Sequence, residues 1–246
     1  MGKIPVALQL YTVRDACEKD FEGTLKQVAD MGYAGVELAG TYGRSAEEVK
    51  QLLDELGLPC VGSHTGDREL DEVVAFHKAL DCKYVGWPVF PGGLPDTEEG
   101  VRAAIERLNA RGADYKKHGL HLYYHNHSGE FQTINGKAIL DWFYENTDPD
   151  LVRAQYDVCW IYNADVDPAA YMRKYPGRCQ LLHLKDMKAD ETLTEVGNGV
   201  VDFDTIFAAS EVAGVEWYIV EQDRWERPSI DSARISLENL KTWGIA

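Results

Sequence analysis

Short apolar runs alternate with longer charged, amphipathic runs along the whole chain. The short runs are VALQLYT (6–12), AGVELA (34–39), PCVGSH (59–64), KYVGWPV (83–89), LHLYYHNH (120–127), RAQYDV (153–158), CQLLHLK (179–185) and EWYIVEQ (216–222). Runs of this length, rich in β-branched and aromatic residues, predict strands. The segments between them have helical spacing. In FEGTLKQVADMG the apolar positions fall at 21, 25, 28 and 31, and Gly32 suits a C-cap. SAEEVKQLLDELG (45–57) opens on Ser-x-x-Glu, the capping-box pattern, and ends in another glycine. Further helices are predicted near 69–80, 98–118, 136–146, 167–175, 203–213 and 229–242.

Strands alternating with helices imply a parallel sheet. Eight such pairs in 246 residues, with no Pro/Ser/Gly-rich linker, imply an α/β fold: a (β/α)8 TIM barrel forming a single domain over 1–246. A doubly wound open sheet would need a glycine-rich phosphate turn after its first strand, where LYTVRDACEKD stands instead.

In such a barrel the active site lies where the strands end. The first run ends in Gln9, Tyr11 and Thr12, followed by Arg14. The second and third give Glu37 and His64, and the fourth gives Trp87, Pro88 and Phe90. The fifth ends in the cluster YYHNHSGEF, which holds His125, Asn126, His127 and Glu130. Asp157 and Trp160 follow from the sixth, His183, Lys185 and Asp186 from the seventh, and Glu221, Gln222, Asp223 and Arg224 from the eighth. Any one of these residues could be a solvated rim group. Together they are costly to bury unless something compensates their charge. Carboxylates and neutral imidazoles meeting at one point suit Mn²⁺, Zn²⁺, Co²⁺ or Mg²⁺. Strand alternation puts His183 with Lys185, Glu221 with Ile219 and Asp223, and Asp157 with Gln155, each on one face. Positions 157, 183 and 221 are therefore candidates for one inward ring.

Charge narrows the partners. Lys plus Arg total 25 against 41 Asp plus Glu, a formal charge of −16, which argues against nucleic acid or an anionic membrane. Five scattered cysteines without a C-x-x-C pair suggest neither a disulfide framework nor a zinc knuckle. The N-terminus lacks a signal-peptide pattern. Its Met-Gly start lacks the Ser or Thr of a myristoylation site, because position 6 is Val. No run reaches a membrane span. A reduced, cytoplasmic location is the expectation.

LQLYTVR, GVELAG, YHNHSGEF, YDVCW, HLKDM, EVGNGVVDFDTIF and IVEQDR, in this order along the whole chain, resemble the sugar phosphate isomerase/epimerase family of xylose isomerase-like barrels. The resemblance implies one divalent ion, Mn²⁺ first among the four. It would be held by Asp157, His183, Glu221 and a carboxylate from the fifth strand. Where many relatives carry that glutamate, this chain has His125. Glu130, five residues on beyond Gly129, is the preferred ligand, with His125 the alternative. The family implies isomerisation or epimerisation by removing a proton beside the carbonyl of a sugar or keto-sugar, through a metal-stabilised enediolate. Dehydration of a 3-keto-glycoside or inosose is the alternative. Glu37 and Glu221 are the candidate bases, Lys185 an oxyanion donor and His125 a proton-transfer group. Gln9, His64, Trp87, His127, Trp160 and Arg224 are expected around the substrate. The partner is a small sugar. No phosphate grip is evident, and such barrels often form homodimers. A DNA-repair endonuclease of the same barrel would want more metal ligands and a basic surface, and a sugar-binding barrel without activity would want a lost ligand.

Overall fold

The computed structural model describes residues 3–90 and 92–246; Met1 and Gly2, the lipidation start considered above, lie outside the described residues. The barrel strands are β1 (Val6–Gln9), β2 (Gly35–Leu38), β3 (Cys60–His64), β4 (Tyr84–Trp87), β5 (His121–His125), β6 (Val152–Gln155), β7 (Leu181–Leu184) and β8 (Trp217–Val220). They pair in parallel in the order β6-β5-β4-β3-β2-β1-β8-β7. Parallel bridges Ala154–Cys179 and Asp157–His183 join the two outer strands and close the ring.

The helices are α1 (Phe21–Met31), α2 (Ala46–Leu56), α3 (Leu70–Ala79), α4 (Glu98–Lys117), α5 (Ile139–Asn146), α6 (Pro168–Lys174), α7 (Phe203–Ala213) and α8 (Ser229–Thr242). All eight predicted helices are present. The capping box at Ser45 and Glu48 closes reciprocally, and Gly57 ends α2 in the left-handed conformation at φ 68°. The predicted 136–146 helix starts three residues late. Asn135 and Gly136, both at positive φ, turn a small hairpin between Thr133–Ile134 and Lys137–Ala138. Asn-Gly is a strong hairpin signal that helical periodicity had masked. Short helical segments at Arg14–Lys19 and Val158–Tyr162, not predicted, re-aim the chain after β1 and β6.

The outward strand faces pack on the helices in one large apolar cluster. Inside the barrel, Ala7, Val61, Tyr84, Tyr123, Leu181 and Ile219 form a smaller apolar plug. Above the plug the interior becomes polar within one residue pair. Tyr123 carries its phenol up into that layer past Gly62 and Gly86. A Cβ at Gly86 would lie 2.4 Å from the phenol oxygen, so the position accepts no side chain. Among the described residues no helix is long and apolar enough to cross a membrane.

Candidate metal centre

The polar layer is built around Glu37, which β2 places wholly inside the barrel. Its Oε1 accepts from the Tyr123 hydroxyl at 2.5 Å and Gln155 Nε2 at 2.6 Å. Its Oε2 accepts from Gln9 Nε2 at 2.7 Å and His183 Nε2 at 2.6 Å. Burial alone would raise the carboxyl pKa. His64 and His183 nearby, with hydrogen bonds from His183 and Tyr123, outweigh burial and hold it at about 2. A carboxylate with so little proton affinity and four donors is a poor general base. Glu37, expected from the sequence to take the substrate proton, is thus buried with both carboxylate oxygens engaged by four donors. Gln9, expected around the substrate, belongs to the same layer. It is fully buried, its Oε1 receives the Tyr11 amide at 3.0 Å, and it lies in this floor rather than against a ligand.

Because ionised Glu37 only accepts, His183 presents an N–H from Nε2 and turns Nδ1 toward Glu221 Oε2, 2.9 Å away. An outer carboxylate fixing a ring in this way is the usual support for a metal-binding imidazole. Burial would lower the His183 pKa, but the charges of Glu37 and Glu221 raise it to about 10. His64 stacks on His183 at 5.5 Å and bonds Gln155 Oε1 at 2.8 Å.

One potential ligand atom from each of His125, Asp157, His183 and Glu221 falls within 4.8 Å of the others, all four residues being buried. Glu130 is not in this set. The Ser128–Phe131 turn folds it back, so that Oε1 accepts from the Tyr124 hydroxyl at 2.8 Å and Oε2 from the His127 amide at 2.9 Å. Both carboxylate oxygens are committed to shaping the loop, and His125 rather than Glu130 stands in the group that could hold an ion. The His125 pKa is pushed well below its ordinary value by burial and by His183 and His127, which keeps the ring neutral. Its Nδ1 is buried without a partner.

Asp157 caps the Val158–Tyr162 helix. Its Oδ1 accepts from the amides of Cys159 at 3.0 Å and Trp160 at 3.1 Å. Asp157 Oδ2 is buried and accepts no aligned hydrogen bond, although Lys185 Nζ lies 2.8 Å away. Lys185 is itself fully buried, 2.8 Å from Glu221 Oε2 and 3.0 Å from Asp223 Oδ2. Burial works against its charge, but Asp157, Glu221 and Asp223 outweigh that and keep the ammonium protonated. Lys185 is thus held among carboxylates, a narrower position than the free oxyanion donor expected from the sequence.

Trp87 is the clearest misplacement. It points outward from β4 into the helix-facing core, fully buried beside Phe90 with ring centroids 6.2 Å apart, and reaches no substrate space. His127, in contrast, stands at the mouth with its side chain 40% exposed, 4.8 Å from the His125 ring and 6.2 Å from Trp160. Its Nδ1 lies 3.9 Å from Glu130 Oε1. Arg224 is exposed on the rim. Asp186 sends its carboxylate into the loop beyond β7, where it accepts the amides of Met187, Gly197, Gly199 and Val201. Tyr123 and Gln155 were absent from the expected site, yet each lies two residues from a candidate ligand on the same strand face.

The donor set suits a divalent cation. Two carboxylates and two imidazoles converge, and His125 Nδ1 is buried without a hydrogen bond.

A barrel with this sheet order and a polar layer at the strand ends is matched by the family described as xylose isomerase-like TIM barrel, over residues 25–243, and the chain belongs to that family. The chain is similar to inosose dehydratase of Geobacillus thermodenitrificans, 25% identical over 84% of this chain and 83% of the relative. It is likewise similar to inosose dehydratase of Clostridium perfringens, 25% identical over 84% of each. A sugar phosphate isomerase/epimerase structure from Parabacteroides distasonis superposes with a TM-score of 0.88 at 25% identity, covering 98% of both chains. A second from that organism gives 0.85 at 26%, covering 98% of this chain and 94% of the other.

Proposed function

We propose that the protein is a divalent-metal-dependent enzyme that breaks a C–H bond beside the carbonyl of a sugar or keto-sugar, giving isomerisation or epimerisation. The reading rests on the meeting of buried ligand atoms from His125, Asp157, His183 and Glu221, with His125 Nδ1 left without a partner. These four side chains would hold the ion, with Mn²⁺ the first choice and Zn²⁺, Co²⁺ or Mg²⁺ the alternatives. Bound there, the ion would supply Lewis-acid polarisation of a carbonyl oxygen.

The chain's own residues do the rest. Glu37 and Gln155 fix the rings of His183 and His64 before substrate enters. Lys185 offsets the charge of Asp157, Glu221 and Asp223. His127 is the imidazole at the mouth. With Nδ1 turned to Glu130, Nε2 is the atom placed to take the proton. His64 and Trp160 border the substrate. Five buried, free cysteines fit a reducing compartment such as the cytoplasm.

Dehydration is the second reading, favoured by the inosose dehydratases among the relatives. It shares the same first C–H cleavage and differs in the group that leaves next. The test is to follow a panel of ketoses and inososes by NMR in D₂O, with Mn²⁺-loaded and chelator-treated protein. Metal-dependent deuterium uptake beside the carbonyl is expected, and conversion identifies isomer, epimer or dehydrated product. Failure to take up any divalent ion, or to exchange any member of the panel, would overturn the proposal.

A further inference from the structure

We infer that the cavity beside the metal centre is an outer subsite for a second, uncharged ring carried by the substrate. The preferred substrate would then be a glycoside or other ring-substituted sugar rather than a free monosaccharide. This deepens the function proposed above and rests on it.

The cavity holds about 400 Å³, and its walls include Trp160, Trp225, Thr192 and Leu193. That volume falls in the range of small-molecule sites, roughly 300–1,000 Å³. It shares two walls with the centre. Asp223 lines it while its Oδ2 lies 3.0 Å from Lys185 Nζ. Trp160 lines it while its amide bonds Asp157 and its ring lies 5.0 Å from Lys185 Nζ. A substituent leaving the reacting sugar on this side enters the cavity directly.

Trp225 is held in place before any ligand arrives. The Arg14 guanidinium lies 4.5 Å from the Trp225 ring and 4.0 Å from the Tyr11 ring, and it donates at 2.8 Å to the carbonyls of Asp223 and Tyr11. These contacts tie the loop after β8 to the loop after β1. A ring docking on a pre-ordered indole does not have to meet the entropy of ordering it. Trp160 adds a second indole to the same wall.

The charge decides the class of occupant. Asp190, Glu191, Asp223 and Glu226 border the cavity against Arg224 alone, and the neighbouring Lys188 is paired to Glu226 at 2.7 Å. A phosphate or carboxylate substituent would be repelled, whereas an uncharged ring gains aromatic contact and acceptors for its hydroxyls.

The test is calorimetric titration of the Mn²⁺-loaded full chain with D-glucose, phenyl α- and β-D-glucopyranoside, and α-D-glucose 1-phosphate. One phenyl glucoside should bind at least about 10-fold more tightly than glucose, and the phosphate no better than glucose. Trp225→Ala should remove that increment and Trp225→Phe restore most of it, both with unchanged Mn²⁺ uptake. Equal binding of glucose and both glucosides, preference for the phosphate, survival of the increment in Trp225→Ala, or no binding by any of the four overturns the subsite. The two proposals fail separately. Glucoside binding through Trp225 without any deuterium exchange would sink the enzyme reading alone. Exchange of free ketoses without the glucoside increment would sink the subsite alone.

Discussion

His77 and His183 are both wholly buried, and both are hydrogen-bonded at each ring nitrogen, yet they behave in opposite ways. His77, on α3 outside the barrel, is bonded at Nδ1 to the Val73 carbonyl and at Nε2 to the Ser63 hydroxyl, each at 2.8 Å. Burial among neutral partners pushes its pKa down to about 4. His183, inside the barrel, has Glu37 on one nitrogen and Glu221 on the other, and its pKa rises to about 10. A buried imidazole with neutral partners is a structural element of the fold. One placed between carboxylates is matched to positive charge, whether a proton or a metal ion.

The largest expected effect tests the inner histidine. His183→Ala should lose metal by more than the ~100-fold typical of removing a mere orienting partner, together with deuterium exchange. Elemental analysis and NMR check both. His125→Ala should also lose metal, whereas Glu130→Gln should keep it. Metal retained in the first variant and lost in the second would restore Glu130 as ligand. Glu37→Gln keeps the shape of the floor but removes its charge, so metal affinity should fall by about 10–100-fold in a titration.

The outer histidine is read through stability. A His whose folded pKa lies below its unfolded value binds protons more readily when unfolded. Stability is therefore unaffected above about pH 6.5 and falls as pH drops toward 4. The loss reaches about 3 kcal/mol for a shift of this size. Urea denaturation of chelator-treated protein across that range should show it, and His77→Gln should flatten the slope. The smallest effect is Ser63→Ala, about 1 kcal/mol at neutral pH from one lost hydrogen bond. For metal-free His183 the sign is reversed. Its contribution is complete below pH 6.5 and is lost as pH rises through about 10.

The sequence pattern carried the barrel because strand and helix periods are local signals. It also carried the inward ring, because alternation from a known strand end needs only counting. What it missed depends on side-chain direction at bends. Asp157 and Glu221 lie just beyond their strands, and a one-residue slip at β4 decides whether Trp87 faces sugar or helix. Glu130 was a reasonable ligand by charge, but the reach of a short helical turn sends it home to the amide of His127. Glu37 looked like a base because it ends a strand. Nothing local records that Tyr123, Gln155, Gln9 and His183, from four other strands, converge on it.

The Asp186 carboxylate, which gathers four amides of the loop beyond β7, sets a rule for transplanting that loop. A Cβ at Gly199 would sit 2.2 Å from Asp186 Oδ1, so the carboxylate and the glycine are a matched pair. Loop exchange between relatives, the natural route to new substrate range on this scaffold, should therefore move 186–201 as one cassette. A graft that begins after Asp186 would import a loop whose fold is written outside it.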